Sequence, residues 1–224
     1  MSDKYSSGVA FVLEGDTEKV FYFELLEHFC KKHRGSFITR QKSASTGEIE
    51  YVITTNEKKV LVKTNVVGTI SQIANSGAWF ENRCYSEHKD MIWTIFLCYD
   101  TDNYLDDITK FSEGDWKELR KTIKKHKKCN VIDLAASADI EDTMLIDSDS
   151  VFRFLGLPPG PVPNGSKGKK KMKKIYRLKG PTYGYHSGDR SRALIRSLDF
   201  DKIIACSPIP LKQVDFICFG QDLE

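Results

Sequence analysis

The fold is decided by the stretch Val9-Ala10-Phe11-Val12-Leu13-Glu14-Gly15-Asp16-Thr17-Glu18-Lys19. Its first five residues are apolar, a run that is too short for an ordinary helix and typical of a β-strand covered on both faces. Gly15 allows a sharp turn, and the two residues after it are both good helix N-caps. Glu18 adds the negative charge that the first turn of a helix favours, and an apolar helical face continues as far as Phe29. The stretch therefore predicts a strand, a tight turn and a helix, with Glu14 at the end of the strand.

Length and composition suit one domain. The chain has 224 residues, 40% of them hydrophobic, which is enough to bury the core of a single α/β domain. Its 34 Lys and Arg nearly balance 31 Asp and Glu, so the net charge of +3 does not by itself indicate a nucleic-acid partner. The six cysteines are scattered singly, which is typical of reduced thiols. The sequence shows neither a signal peptide nor a membrane span, so we expect a cytoplasmic protein with no membrane partner.

Strand and helix signals alternate along the rest of the chain. Strands are predicted at 59–63, 91–99 and 130–135, with a short extended stretch at 36–40, whereas 41–57 is polar and gives no clear element. Helices are predicted within 66–79 and at 115–126, 140–146, 150–155 and 188–196. This alternation predicts an α/β fold with a mainly parallel sheet and helices on both faces.

The character of the chain changes at residue 156. Residues 156–187 contain no acidic residue, four closely spaced prolines and a run of lysines, a composition that is typical of a loop. We therefore divide the chain into a core at 1–155, a basic loop at 156–187, and a segment at 188–224 in which a helix and short strands complete the same domain.

Acidic side chains follow three of the predicted strands. Because the carboxyl ends of parallel strands meet at one edge of a sheet, we expect these side chains to converge. Crowded carboxylates repel one another unless a cation neutralises them, and oxygen ligands without His or Cys favour Mg²⁺ or Mn²⁺. One or two such ions can promote phosphodiester cleavage, so the pattern predicts a metal-dependent nuclease, although each acid alone also fits a turn or a helix cap. The acids are Glu14, the pair Asp100 and Asp102, and Asp133 with Asp139, Glu141 and Asp142.

The segments 11–19, FVLEGDTEK, and 95–102, IFLCYDTD, resemble the Toprim domain. The resemblance is greatest to small Toprim proteins of bacterial defence, the OLD-type and RloB-like nucleases, and residues 138–147 resemble the acidic helix of those proteins. It implies a Toprim-like, Rossmann-like fold over about residues 8–150. It also implies a Mg²⁺-dependent endonuclease that hydrolyses DNA or RNA in antiviral defence, working with a separate ATPase or sensor protein.

The resemblance implies a role for each acid. Glu14 becomes the first metal ligand and a general base, and Asp100 and Asp102 become the paired ligands. Glu141, together with Asp139, serves a second metal ion.

The chain departs from the family at one position. Many Toprim enzymes have a third acid two residues after the Asp-x-Asp pair, where this chain has Tyr104. Asp106 or Asp107 could compensate, so the number of metal ions is left open.

The lysine run has two interpretations. It is either a solvated loop or a surface that binds a phosphate backbone. Next to a predicted metal site we favour contact with nucleic acid, and Lys179 or Arg190 is a candidate to stabilise charge on the cleaved phosphate. The predicted contacts are Lys167, Lys169, Lys170, Lys171, Lys173, Lys174, Arg177 and Arg190.

Two other functions fit part of the pattern. A HAD-like phosphatase would use Asp100 as its nucleophile, but would leave Glu14 unexplained. A non-catalytic Toprim-fold module would keep the acids as caps and use the lysines to bind nucleic acid or another partner. The sequence does not decide whether the chain forms a homo-oligomer.

Overall fold

A six-stranded β-sheet organises the part of the chain that the structure describes. This computed structural model describes residues 5–41, 49–69, 72–102, 104 and 115–220. The order of strands across the sheet is β2-β3-β4-β1-β5-β6. The strands are β1 (Ser7–Leu13), β2 (Ser36–Gln41), β3 (Ile49–Thr54), β4 (Lys59–Val66), β5 (Trp93–Asp100) and β6 (Cys129–Ala136).

The strand β1 lies in the middle of the sheet because its side chains are apolar on both faces. It pairs in parallel with β4 and β5, and β5 pairs in parallel with β6. Gly8 lies opposite Trp93, and a Cβ atom at Gly8 would come within 2.6 Å of the tryptophan ring. The mainly parallel sheet predicted from the sequence is confirmed.

The other end of the sheet is antiparallel. The strand β3 pairs antiparallel with both β2 and β4. No element was clearly predicted here, although the alternation of Ile49, Tyr51 and Ile53 with other residues has the period of a strand. The antiparallel hairpin is therefore an addition to the predicted parallel fold.

Helices cover both faces of the sheet, as predicted. One hydrophobic cluster packs the helix at 16–32 and the C-terminal helices against the face that includes Phe11, and a second packs the helices at 73–80 and 115–124 against the face that includes Val12. Among the described residues, no helix is long and apolar enough to cross a membrane. The helices are α1 (Asp16–Lys32), α2 (Ile73–Phe80), α3 (Asp115–Lys124), α4 (Ile140–Met144), α5 (Ser148–Phe154), α6 (Gly168–Lys179), α7 (Arg192–Arg196), α8 (Phe200–Cys206) and α9 (Leu211–Phe219).

The C-terminal third of the chain corrects two predictions. The predicted loop at 156–187 contains the helix α6, because Met172 and Ile175 lie on one helical face and are fully buried. The predicted short strands after residue 200 are the helices α8 and α9, since Leu211, Val214 and Cys218 are buried with helical rather than alternating spacing. The division of the chain at residues 155 and 187 remains a prediction.

Candidate metal centre

An acidic crevice of about 720 Å³ opens at the carboxyl ends of β1 and β5. This is the edge where parallel α/β sheets place their ligands, and most of the predicted acids converge here. Of the others, Asp133 pairs with Arg120 at 2.6 Å and Asp142 pairs with Lys171. The crevice is bordered on one side by the start of α1 and on another by α6. Its acidic lining residues are Glu14, Asp16, Glu18, Asp100, Asp102, Asp139 and Glu141, and its basic ones are Lys167, Lys169, Lys170 and Lys173.

The two central carboxylates are held in place by main-chain N–H groups. The amide of Asp100 donates to Glu14 Oε2 at 2.9 Å, and the amide of Ile140 donates to Asp100 Oδ1, also at 2.9 Å. Each of these hydrogen bonds engages one oxygen of its carboxylate, and both residues line the crevice. Glu14 and Asp100 are therefore fixed in orientation, as metal ligands need to be.

Burial makes ionisation of these acids unfavourable. It raises the pKa of Asp100 to about 9, with a further contribution from the negative charges of Glu18 and Glu14. Burial likewise raises the pKa of Glu18 to about 7, and it raises the pKa of Glu14. A bound cation would reverse this effect, because it stabilises the ionised carboxylates.

Glu18 is a member of the site that sequence reasoning assigned elsewhere. Its position in the first turn of α1 suggested a charge that complements the helix dipole, but the side chain is only 6% exposed and lines the crevice. Its sequence position could have indicated this role, because Glu18 follows Glu14 by four residues. Glu141, which the sequence predicted, is also buried, and it accepts a 3.0 Å hydrogen bond from the Tyr185 hydroxyl.

Asp139 lines the crevice and also connects α4 to α6. Its Oδ1 accepts from the Asp142 amide at 3.0 Å, which caps α4, and its Oδ2 accepts from the Lys169 amide at 3.0 Å in the first turn of α6. Asp142 accepts from the Gly168 amide at 2.7 Å. A Cβ atom at Gly168 would lie 2.1 Å from the Asp142 nitrogen, so this close junction requires glycine. Both oxygens of Asp139 are thus engaged by the main chain.

Asp102 lies at the rim of the crevice. Its φ of 62° is left-handed, so the chain leaves the strand direction after Asp100 and the two aspartates do not share a strand face. The Asp102 side chain is 62% exposed and forms an ion pair with Lys167. Tyr104 donates from its hydroxyl to Asp142 at 2.7 Å. Asp106 and Asp107, the suggested replacements for a third acid, lie outside the described residues.

The predicted basic residues divide into two groups. Lys167, Lys169, Lys170 and Lys173 line the crevice. The others do not. Lys171 pairs with Asp142 at 2.6 Å, Lys174 donates to the Asn164 carbonyl, and Lys179 places its Nζ 4.8 Å from the centre of the Tyr183 ring. Arg177 and Arg190 are the other two predicted basic residues that do not line the crevice.

The donor set of the crevice fits a hard cation. Every acidic lining residue offers carboxylate oxygens, and no His or Cys lines the crevice among the described residues, which favours Mg²⁺ or Mn²⁺ over zinc. The one group of three potential ligands whose atoms all lie within 4.8 Å of one another, in the described part of the chain, is Glu50, Glu87 and His88 elsewhere. Wider spacing in the crevice suits Mg²⁺, which commonly keeps several waters and binds one or two carboxylates together with substrate phosphates.

Comparison with known proteins identifies no family. No family model and no curated protein matches the chain. Similar solved structures include a futalosine hydrolase mutant of Helicobacter pylori strain 26695, with 7% identity and a TM-score of 0.30 over 96% of this chain and 99% of that chain. A putative 5'-methylthioadenosine/S-adenosylhomocysteine nucleosidase from Francisella philomiragia has 11% identity and a TM-score of 0.30, covering 89% and 99% of the two chains. The corresponding Campylobacter jejuni nucleosidase has 9% identity and a TM-score of 0.28, covering 93% and 99%.

These structures overturn the recognition made from the sequence. They are a futalosine hydrolase and nucleosidases and not Toprim nucleases, and the predictions of Toprim membership and of a Mg²⁺-dependent endonuclease in antiviral defence are wrong. The HAD-like phosphatase and the Toprim binding module are not matched either. The physical reason is that acids at the strand ends of a parallel sheet arise in many unrelated α/β proteins. At TM-scores near 0.30, the similarity does not transfer nucleosidase activity to this chain.

Proposed function

We propose that this protein binds a divalent cation, Mg²⁺ or Mn²⁺, together with the phosphate group of a small phosphorylated ligand in the acidic crevice. The observation that carries the proposal is the meeting of buried carboxylates from three chain segments with a row of lysines on α6. The carboxylates attract the metal ion of a metal–phosphate complex, and the lysines attract its phosphate group.

The cation half of the site is centred on Glu14 and Asp100. Main-chain bonds hold both carboxylates, and Glu18 and Glu141 add negative charge beside them. Glu14 and Asp100 would hold the ion, while the crowding that raises the pKa of Asp100 to about 9 would be relieved. When bound, the ion would neutralise phosphate oxygens and polarise the P–O bonds.

The phosphate half of the site is the crevice-facing side of α6. Lys170 and Lys173 are three residues apart and therefore lie on one helical face, with Lys169 beside them. Within the described ranges, no ion pair to a carboxylate engages these three side chains, in contrast to Lys167 and Lys171. Their ammonium groups are thus available to a phosphate.

The size of the crevice favours a small ligand. Its volume of about 720 Å³ lies within the range of small-molecule sites. Gly188 and the start of α1 border the space near Glu18, so the crevice has walls on the sheet side, the α1 side and the α6 side. A small phosphorylated molecule fits such a space better than a polymer does.

Calorimetric titration tests the proposal. Wild-type protein should bind Mg²⁺, and it should bind inorganic tripolyphosphate in Mg²⁺ but not in chelator. Asp100→Asn should weaken Mg²⁺ binding by at least about tenfold, equivalent to 1.4 kcal/mol. The double variant Lys170→Gln with Lys173→Gln should weaken tripolyphosphate binding by a similar factor and leave Mg²⁺ binding unchanged.

Two variants outside the crevice serve as matched controls. Glu118→Gln removes an exposed carboxylate of α3 that pairs with Lys121, and Lys174→Gln removes a lysine of α6 that bonds to Asn164. Both should bind Mg²⁺ and tripolyphosphate within about twofold of wild type. Binding that persists in chelator, or that Asp100→Asn leaves intact, would contradict the proposed function.

A further inference from the structure

A second pocket of about 300 Å³ is lined by residues of α1, β2, β3 and α7. It differs from the crevice in that aromatic rings line it, together with three cationic side chains and the carboxylates of Glu24 and Glu27. The rings come from α1 and from the antiparallel strands β2 and β3, and the cations come from α1 and α7. The rings are those of Phe23, Phe37 and Tyr51, and the cationic side chains are those of Lys19, Arg192 and Arg196.

The two arginines are held rigidly by buried acid. Arg196 donates from Nε and Nη2 to the two oxygens of Glu24, each at 3.0 Å, and Glu24 is only 6% exposed. Arg192 donates to Glu24 at 3.0 Å and to Asp189 at 3.0 Å. These bonds engage two of the three nitrogens of each guanidinium group and orient it, and the flat face of an oriented guanidinium stacks well on aromatic rings.

The aromatic side of the pocket is also ordered. The rings of Phe37 and Tyr51 are stacked, with centroids 5.5 Å apart, and Phe23 meets both of them edge to face. Phe37 and Tyr51 are half-buried, so part of each ring faces the pocket. A pocket of rings and guanidinium planes favours a flat aromatic ligand over a chain of sugars or a peptide carboxylate.

The crevice and this pocket are joined by α1. Asp16 lines the crevice, whereas Lys19 and Phe23 line the pocket, and residues at these spacings lie along one face of a helix. The rise from Asp16 to Phe23 is roughly 10 Å. A second segment also connects the two spaces. Gly188 lines the crevice and donates from its amide to the Thr17 hydroxyl at 2.9 Å, and Arg192, four residues further along the chain, lines the pocket.

We propose that the aromatic pocket binds the base of a nucleotide whose phosphates lie in the acidic crevice, so that the ligand is a nucleoside polyphosphate. This inference rests on the proposed function, since the crevice supplies the phosphate site. A separation of roughly 10 Å along α1 requires a ligand longer than a nucleoside, and a chain of two or three phosphates provides that length. Purines should bind better than pyrimidines because the larger ring system stacks over more area.

The experiment compares ligands that share phosphates and differ in the base. Calorimetry in Mg²⁺ would measure the affinity of ATP, GTP, CTP and inorganic tripolyphosphate for the wild type, Tyr51→Leu, Tyr51→Phe and Tyr183→Leu. The wild type should bind ATP or GTP at least about tenfold more tightly than tripolyphosphate. Tyr51→Leu should abolish that preference and keep the affinity for tripolyphosphate, which also shows that the variant is folded. Tyr51→Phe keeps the ring and should keep the preference, and Tyr183→Leu removes an exposed ring outside the pocket and should change nothing.

The outcomes separate the two proposals. Equal affinity of nucleotides and tripolyphosphate in the wild type would overturn the base pocket and leave the proposed function standing. A preference that Tyr51→Leu leaves intact would likewise overturn this placement of the base. Failure of tripolyphosphate and of all nucleotides to bind in Mg²⁺ would overturn both.

Discussion

Two of the regions that hold buried carboxylates in this protein neutralise them differently. On β3 and β4, Glu50 lies 3.3 Å from the ammonium of Lys63, which also lies 2.7 Å from Glu87. Lys63 is only 3% exposed, so the chain carries the neutralising cation within its own core. In the acidic crevice, Glu18 and Glu141 are equally buried, but the lysines stand at the rim. The comparison distinguishes a structural charge cluster from a crevice suited to an external cation.

Removing the internal cation should have the largest effect on stability. Lys63→Met leaves Glu50 and Glu87 without their shared ammonium, so we expect the free energy of unfolding to fall by about 3–5 kcal/mol. Urea unfolding followed by circular dichroism would measure the loss. The control Lys128→Met breaks an exposed pair with Asp90 and should cost less than about 1 kcal/mol. Similar losses in the two variants would mean that burial of Lys63 does not matter.

Supplying an external cation should have the next largest effect, at the crevice. Mg²⁺ at 100 times its dissociation constant should raise the free energy of unfolding by about 2.7 kcal/mol. Burial raises the pKa of Glu18 to about 7 and that of Asp100 to about 9, so the folded protein holds protons that the unfolded chain releases. Without Mg²⁺, stability should therefore fall as the pH rises from about 5 to 9.

The same pH series checks the reason for the Mg²⁺ effect. Because the ion favours the ionised carboxylates, saturating Mg²⁺ should flatten the decline in melting temperature with pH. A decline that is equally steep with and without Mg²⁺ would show that the ion binds away from Glu18 and Asp100.

The smallest effect is expected when one crevice carboxylate is neutralised. Asp100→Asn keeps an oxygen that can accept from the Ile140 amide. It also removes a carboxyl group whose pKa of about 9 makes the folded protein hold, at pH 8, a proton that the unfolded chain releases, which lowers stability. In the absence of Mg²⁺ the variant should be more stable than wild type by ~1 kcal/mol, as is common when an acid kept for function is removed. Urea unfolding at pH 8 would measure the gain. A loss of stability would instead give Asp100 a structural role like that of Lys63.

The sequence predicted those parts of the fold that depend on long apolar runs. The buried strand at Val9 to Leu13 and the run ending at Asp100 identified β1 and β5 because their residues are apolar on both faces. It could not identify α6, because its many lysines have the composition of a solvated loop and only Met172 and Ile175 carry the core contact. Composition therefore led to a wrong prediction of a loop, because α6 buries only a narrow stripe of apolar side chains.

The site was predictable to the extent that strand ends determine it. Glu14 and Asp100 converge as the parallel sheet requires. Glu18 was overlooked because its first-turn position already had an explanation. The hydrogen bond from the Lys169 amide to Asp139 could not be predicted either, because the two residues are far apart in the sequence. The family resemblance added an error of its own, since a short strand–turn–helix pattern was given the specificity of a whole domain.

The attachment of α6 to α4 through Gly168 also affects how quickly a ligand arrives. Because this junction holds Lys169, Lys170 and Lys173 beside the acids, regions of opposite electrostatic potential lie side by side at one entrance. The acids repel a free polyphosphate and the lysines attract it. In a Mg²⁺–polyphosphate complex, by contrast, the acids attract the ion and the lysines attract the phosphates. Association of the complex should therefore be fast in dilute buffer and should slow as added salt screens the field over about 10 Å at 0.1 M.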